Sequence, residues 1–422
     1  MARGGGLIWH MPLNFPVKPL LLAGSIFCTA ALHAADLTVP TVYCADPQVL
    51  LAAKTGLASG SAVYQPAFKQ LVTEAGRMLS LKPASVMDKK QVPPSGDKHD
   101  FMSQAPYFWR DTNSPAGKYV RRDGQRNPES GQDSDSGRFQ KLCADAHQLG
   151  LAYYLSGDEK YAAKAAELLR VWFLDPATRM NPNFKYGQGI PGETEGRPTG
   201  LISARGLVQL VDGIGLLAGS QSWTAADQSG MIDWATRYLD WLTTSKIGQG
   251  EGAAKNNHGT FYDTQVVALA RFTGKNDLAR EFLLNAREKR IARPLEPDGR
   301  EPLELARTLS FDYSTFNLRA LLDLASLGQN AGVDLWHYQT PDGRSIQKVA
   351  EYLGQYADPA KPWPFQQIHP AKRGTLAELL LRAAGQYPQS GLQADLKLLN
   401  ADEVAQNAAQ LMFKTAGIGA GN

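Results

Sequence analysis

The chain has 422 residues, 43% of them hydrophobic and 20% charged, with a formal net charge of +3. This balance fits a soluble globular protein that buries a sizeable core, in one large domain or two or three ordinary ones. Arg3 and Lys18 supply two of the positive charges within the first 35 residues, so the remainder stands near +1 (3 − 2), which excludes the broad basic field of a nucleic-acid binder.

At the N-terminus Lys18 precedes "PLLLAGSIFCTAALHA", an apolar stretch too short to span a bilayer comfortably, and small residues follow at Ala34 and Ala35. The pattern predicts a signal peptide over 1–35, cut after Ala34 or Ala35, with Met11 as an alternative start. Phe27 before Cys28 argues against lipoprotein processing. No second apolar segment has the length of a membrane helix, so the expected product is a soluble periplasmic or secreted protein with no membrane contact. Two cysteines remain, Cys44 and Cys143, and either a disulfide or two buried thiols fits an oxidising compartment.

From there helical periodicity recurs. "ADAHQLGLAYYLSG" places apolar residues at three- and four-residue steps, breaks at Gly157, and resumes in "DEKYAAKAAELLRVWFLD". The same sentence returns as "LVQLVDGIGLLAG" breaking at Gly219, "DTQVVALARFTG" breaking at Gly274 and "STFNLRALLDLASLG" breaking at Gly328. The four glycines stand roughly 55–60 residues apart, a spacing that suits helical hairpins joined by loops. Each unit reads as an inner apolar helix, a glycine C-cap and an outer amphipathic helix. The expected fold class is all-α, an (α/α) toroid or incomplete barrel of helical hairpins forming one domain over 36–422. An open helical solenoid is the plainer alternative.

The connections are long and rich in special residues, and loops on a rigid scaffold are where binding groups concentrate. Asp97 to Ser130, Asn181 to Arg205 and Arg293 to Arg319 carry amides, guanidiniums and aromatics, which suit an anionic, hydroxyl-rich ligand. Five histidines follow the leader (His99, His147, His258, His337 and His369), none at metal-ligand spacing, and no paired-cysteine pattern, calcium loop, nucleophile elbow or phosphate loop occurs. No metal is expected.

What remains is Asn256-Asn257-His258 and, about fifty residues on, Arg307 with Tyr313. Both groups precede inner helices, and in a toroid those ends meet at one mouth. An amide, an imidazole, a guanidinium and a phenol together suit β-elimination from a uronic acid. The C5 proton becomes acidic once donors neutralise the adjacent carboxylate, a base removes it, and an acid protonates the departing oxygen. Arg307 beside Tyr313 is expected to lower the phenol from its ordinary value of about 10. Each residue alone has a plainer reading: Asn257 as the N-cap of a helix from about Phe261, His258 as a satisfied structural histidine, Tyr313 as packing, Arg307 as an ion pair. Only the set carries weight.

"DKHDFMSQAPYFW", "RRDG…NPE", "KNNHGTFYD" and "ELARTLSFDYSTFNL" together resemble the alginate lyase superfamily of polysaccharide lyases, over roughly residues 45–370. The Arg-Thr…Tyr-Ser element looks closer to the branch holding broad alginate lyases and glucuronan lyases. The resemblance implies an α/α toroid that needs no cofactor and cleaves a 1,4-linked polyuronate, alginate or glucuronan, by β-elimination. It implies that Asn257 neutralises the carboxylate with Arg307 assisting there or at the tyrosine, that Tyr313 is the acid (and the base in syn elimination), and that His258 is the base for the opposite C5 epimer. Asn256, Tyr107, Trp109, Arg121, Arg122, Gln188 and Arg197 are the expected substrate contacts, with Phe108 beside them, in a monomer that binds no nucleic acid. Two rivals stay open: an inverting hydrolase using two of Glu193, Glu195, Asp263 and Asp312, and a non-catalytic glycan-binding protein.

Overall fold

The computed structural model of the protein describes Met1 and residues 38–113, 117–131 and 134–416. Apart from Met1, the predicted leader lies outside the described residues. None of the described helices is long and apolar enough to cross a membrane.

Helices α1 (Pro47–Ala58) and α2 (Gln65–Met78) lead into an irregular stretch carrying strands β1 (Met102–Gln104), β2 (Phe108–Arg110) and β3 (Tyr119–Arg121). After α3 (Asp135–Ser156) and α4 (Glu159–Leu169) comes β4 (Tyr186–Gly189), which pairs in parallel with β1, while β2 and β3 form an antiparallel hairpin. The next helices are α5 (Leu207–Gly215), α6 (Ala225–Thr244), α7 (Lys246–Gly252), α8 (Asn257–Phe272) and α9 (Asn276–Ala286). They continue through α10 (Pro302–Leu305), α11 (Ser310–Asn330), α12 (Ile346–Gly354) and α13 (Leu376–Gln386), before three short ones, α14 (Leu392–Leu396), α15 (Ala401–Ala405) and α16 (Ala409–Met412).

The inner helices α3, α5, α8, α11 and α13 pack each against the next, and α4, α9 and α12 lie outside as return limbs of their hairpins. Burial follows this division. α8 is buried along nearly all its length, whereas α12 buries the stripe Ile346, Val349, Ala350, Leu353 and Gly354, as an outer amphipathic helix should. The ring of inner helices does not close on itself. α1 packs on α3 and on α16, and α16 packs on α13, so the two terminal segments plug the gap. The fold is an incomplete α/α toroid.

Three of the four predicted glycine ends hold. Gly157 caps α3 in the left-handed region and donates to the Tyr153 carbonyl, and Gly219 and Gly274 also have positive φ. The fourth is corrected: Gly328 lies inside α11, which runs on to Asn330, and the left-handed residue is Gly332 with φ 72°. Between α3 and α5 a different demand operates. A Cβ on Gly150 would fall on the Gly213 carbonyl, and one on Gly213 on the His147 backbone, so the two helices touch backbone to backbone. Cys44 and Cys143 are free, buried thiols. Cys44 lies 3.8 Å from Asp323 Oδ1, and Cys143 packs where Gly206 lacks a side chain.

Candidate active site

The N-terminal ends of α3, α8 and α11 open on one side of the ring, and with β1, β4, the start of β2 and the helical turns Pro198–Ala204 they wall a cleft of about 700 Å³. Both predicted clusters reach it: Asn256, Asn257 and His258 from the start of α8, Arg307 and Tyr313 around the start of α11. Tyr107, Arg121, Gln188 and Arg197 line it as well. Trp109 and Arg122 do not. On the β2–β3 hairpin the Arg122 guanidinium stacks on Trp109 at 5.3 Å, and the indole N–H donates to the Gln125 carbonyl, so each answers the other rather than the cleft.

α8 starts at Asn257, not near Phe261, and Asn256 occupies the cap position without a side-chain cap bond. The cap comes from another segment. Glu304, at the end of α10, accepts from the Asn257 backbone N–H at 2.6 Å and from its Nδ2 at 2.7 Å. A carboxylate at a helix N-terminus satisfies orphan donors and opposes the helix dipole, and here it also pins an amide side chain. Burial raises the Glu304 carboxyl, while the Asn257 donors and the charges of Arg307 and His258 pull the other way. Beneath it lies Glu301, which accepts from Asn317 Nδ2 at 2.6 Å. Glu301 Oε2, Asn317 Oδ1 and the Ser314 hydroxyl are all buried with no partner. Burial, then the charge of Glu304, raises Glu301 well above the ordinary glutamate range, which favours its protonated form.

His258 Nδ1 lies 2.6 Å from the buried Glu251 carboxylate, which orients the ring and leaves Nε2 as the nitrogen available to a ligand. Arg307 holds Tyr313 as predicted, its guanidinium 3.7 Å from the ring centroid, and makes a two-pronged pair with Asp123 at 3.0 and 2.6 Å. Asp123 also accepts from the Thr308 N–H and hydroxyl and pairs with Arg121 at 2.8 Å. Burial alone would raise the Asp123 carboxyl; the donors Arg307 and Thr308 and the charges of Arg307 and Arg121 outweigh it and hold it well below the usual range.

The Tyr313 hydroxyl donates to the Tyr107 hydroxyl at 2.6 Å. Its phenol does not move downward as the adjacent arginine suggested. Burial and the neighbouring Tyr107 push it above its ordinary value, and Arg307 offsets only part of this. Tyr313 therefore holds its proton at neutral pH. Gln188 is the one non-glycine among the described residues with positive φ, at 50°, and its side-chain oxygen accepts from Arg197 at 2.9 Å and Thr199 at 3.2 Å. Strain of this kind persists where surrounding bonds over-determine a residue, as they do here.

The four carboxylates named for a hydrolase lie elsewhere. Asp263 is buried in an ion pair with Arg290 at 2.7 Å, Asp312 borders a neighbouring groove with Lys372, and Glu193 and Glu195 stand on an exposed loop. Among the described residues the cleft lining contains one carboxylate, Glu251, and it is engaged by His258. No group of three metal-binding side chains occurs among the described residues. Glu251, Glu304 and Asp123 were missed in the sequence because their partners stand 7, 47 and 184 positions away.

The family model described as Alginate lyase matches residues 85–363. The crystal structure of an alginate lyase from Bacteroides ovatus shares 39% identity and a TM-score of 0.83, covering 89% of this chain and 99% of that one. Alginate lyase A1-III complexed with a tetrasaccharide superposes at TM-score 0.56 and 17% identity, covering 91% and 98%, a likeness of fold. A further structure of that enzyme, from a Sphingomonas species, gives TM-score 0.52 at 15% identity over 83% and 96%. No curated protein sequence matches the chain.

Proposed function

This chain belongs to the alginate lyase family and is a polysaccharide lyase of the alginate type acting on an anionic polysaccharide, and we propose that it cleaves a 1,4-linked polyuronate by β-elimination. Alginate is the first substrate, glucuronan the second. The observation that carries the reading is the meeting of Asn257, His258, Arg307 and Tyr313, from two separated segments, on one cleft whose lining among the described residues holds no opposed pair of carboxylates.

In this mechanism the uronate carboxylate accepts from the Asn257 amide, whose position Glu304 fixes, so charge developing at C5 is drained into the carboxylate. A base takes the C5 proton, the C–H electron pair becomes the C4–C5 double bond, and the C4–O bond breaks. Tyr313, protonated at neutral pH, gives its proton to the departing oxygen. His258 Nε2 is the base when the proton lies on the opposite face. For the other C5 epimer Tyr313 first gives its phenolic proton to solvent, with Arg307 against its ring favouring the phenolate; it then takes the C5 proton and passes it to the departing oxygen. Tyr107, Arg121, Gln188, Arg197 and Asn256 bind the sugar chain around this centre.

The test is ultraviolet absorbance of the unsaturated uronate product, with polymannuronate, polyguluronate and glucuronan supplied separately. A rise with one polymer, abolished in Tyr313→Phe, supports the reading and names the substrate. New reducing ends without absorbance overturn it in favour of hydrolysis. We infer further that the protein is exported by its leader and acts as a monomer; the N-terminal sequence and native mass of the exported product test both.

A further inference from the structure

Five guanidiniums line the cleft: Arg121, Arg126, Arg197, Arg205 and Arg307. Arg121 and Arg307 share the Asp123 carboxylate, Arg197 is bonded to Gln188, and Arg126 is exposed. Arg205 differs. It lies on the floor, its guanidinium 5.4 Å from the Phe316 ring, and its two hydrogen bonds go to neutral acceptors, Gln140 Oε1 at 2.6 Å and the Ile202 carbonyl at 3.0 Å. Among the described residues no carboxylate pairs with it. Burial, and after it the charges of Arg319 and Arg126, pull its pKa down to about 10, so its charged state is disfavoured by its surroundings.

A cation kept on a cleft floor without a counter-charge costs stability, and an incoming anion relieves that cost. The groups around Arg205 are those a sugar acid needs. Gln140 Nε2 donates to the Ser136 hydroxyl at 3.1 Å, and Ser136 and Ser203 hydroxyls lie 2.9 Å apart, all three residues in the cleft lining. Phe316 stands one turn after Tyr313 on α11, so this floor adjoins the reacting centre. We propose that Arg205, with Gln140, Ser136 and Ser203, forms a carboxylate-reading position for a uronate unit of the bound polymer, separate from the Asn257 contact. Arg205 is thereby a specificity-determining residue that separates polyuronates from their neutral counterparts. The inference rests on the polyuronate reading above.

The experiment measures binding calorimetrically in the Tyr313→Phe background, where turnover does not interfere, using a saturated oligouronate and its methyl ester. Arg205→Met should weaken the acid by at least about tenfold, as loss of a charge-assisted fork does, and leave the ester unchanged. Equal loss on both ligands, or no loss on the acid, overturns the inference and leaves the lyase reading standing. If the Tyr313→Phe parent binds no oligouronate and the wild-type protein forms no unsaturated product, both fall. Should Arg205→Met fail to fold, Arg205→Lys carries the test, because an ammonium cannot present the fork; a selective loss on the acid is again expected, and an equal loss on both ligands again refutes it.

Discussion

Glu304→Gln isolates the orientation of one amide. Glu304 accepts two bonds from Asn257, at 2.6 and 2.7 Å, both to a carboxylate in a buried setting. Glutamine at the same place offers a single acceptor oxygen, and its own N–H₂ would confront an Asn257 donor. One bond to a charged group is lost, worth about 1.5–3 kcal/mol. If the Asn257 amide acts chiefly on charge that develops at C5, the loss appears in kcat as a decrease of about 10- to 150-fold, with a smaller change in KM. Initial rates from product absorbance over a range of oligouronate concentrations give the split, and a thermal melt reports how much of the α8 cap survives. A variant with parental kcat and a parental melt would refute the argument that Glu304 positions the amide. A variant whose KM rises while kcat holds would place Asn257 in ground-state binding alone.

Other substitutions test neighbouring claims. Tyr313→Phe should lower kcat by about 100- to 10,000-fold while oligouronate affinity by calorimetry stays near parental; a retained kcat removes the phenol from the chemistry. His258→Ala should abolish product absorbance on one of polymannuronate and polyguluronate and spare the other, and equal loss on both would deny it an epimer-specific role. Glu301→Gln tests the buried proton. A raised folded pKa means its stabilising effect is complete below the ordinary glutamate value of about 4.3 and is lost as pH rises toward the folded value. The amide carries no such penalty, so the variant's melting temperature should gain on the parent's more at about pH 8 than at about pH 4; a pH-independent difference would mean Glu301 is ionised. Gly332→Ala, at φ 72°, should cost about 1 kcal/mol of stability by denaturant titration without lowering the activity of the folded fraction.

Much of this architecture was readable in the sequence because its signals are local. Apolar residues at three- and four-residue steps mark a helix wherever they occur, and glycines at Gly157, Gly219 and Gly274 end helices through their own backbone freedom. Gly328 misled because a glycine also serves inside a helix where a neighbour presses close, and a Cβ there would meet the Val333 carbonyl. Asn257, His258, Arg307 and Tyr313 stood out because they cluster at the starts of equivalent inner helices, and that equivalence brings them to one mouth. Their partners did not stand out. Asp123 is one acid among many until the fold carries it to Arg307, and Arg205 shows its isolation only when the space around it is known. The phenol of Tyr313 makes the same point energetically: the adjacent guanidinium is visible in the sequence, the burial that outweighs it is not.

The contact of Gly150 with Gly213 bears on how such a groove could be resized. Gln140 lies on α3 and Arg205 two residues before α5, and the spacing of the two helices is set further down the ring, where their backbones meet. The bore of the mouth is thus governed by a calliper whose pivot touches no sugar. Bulk added at that pivot would splay the two helix ends and widen the gauge of chain admitted, leaving every group that faces the substrate chemically as it was.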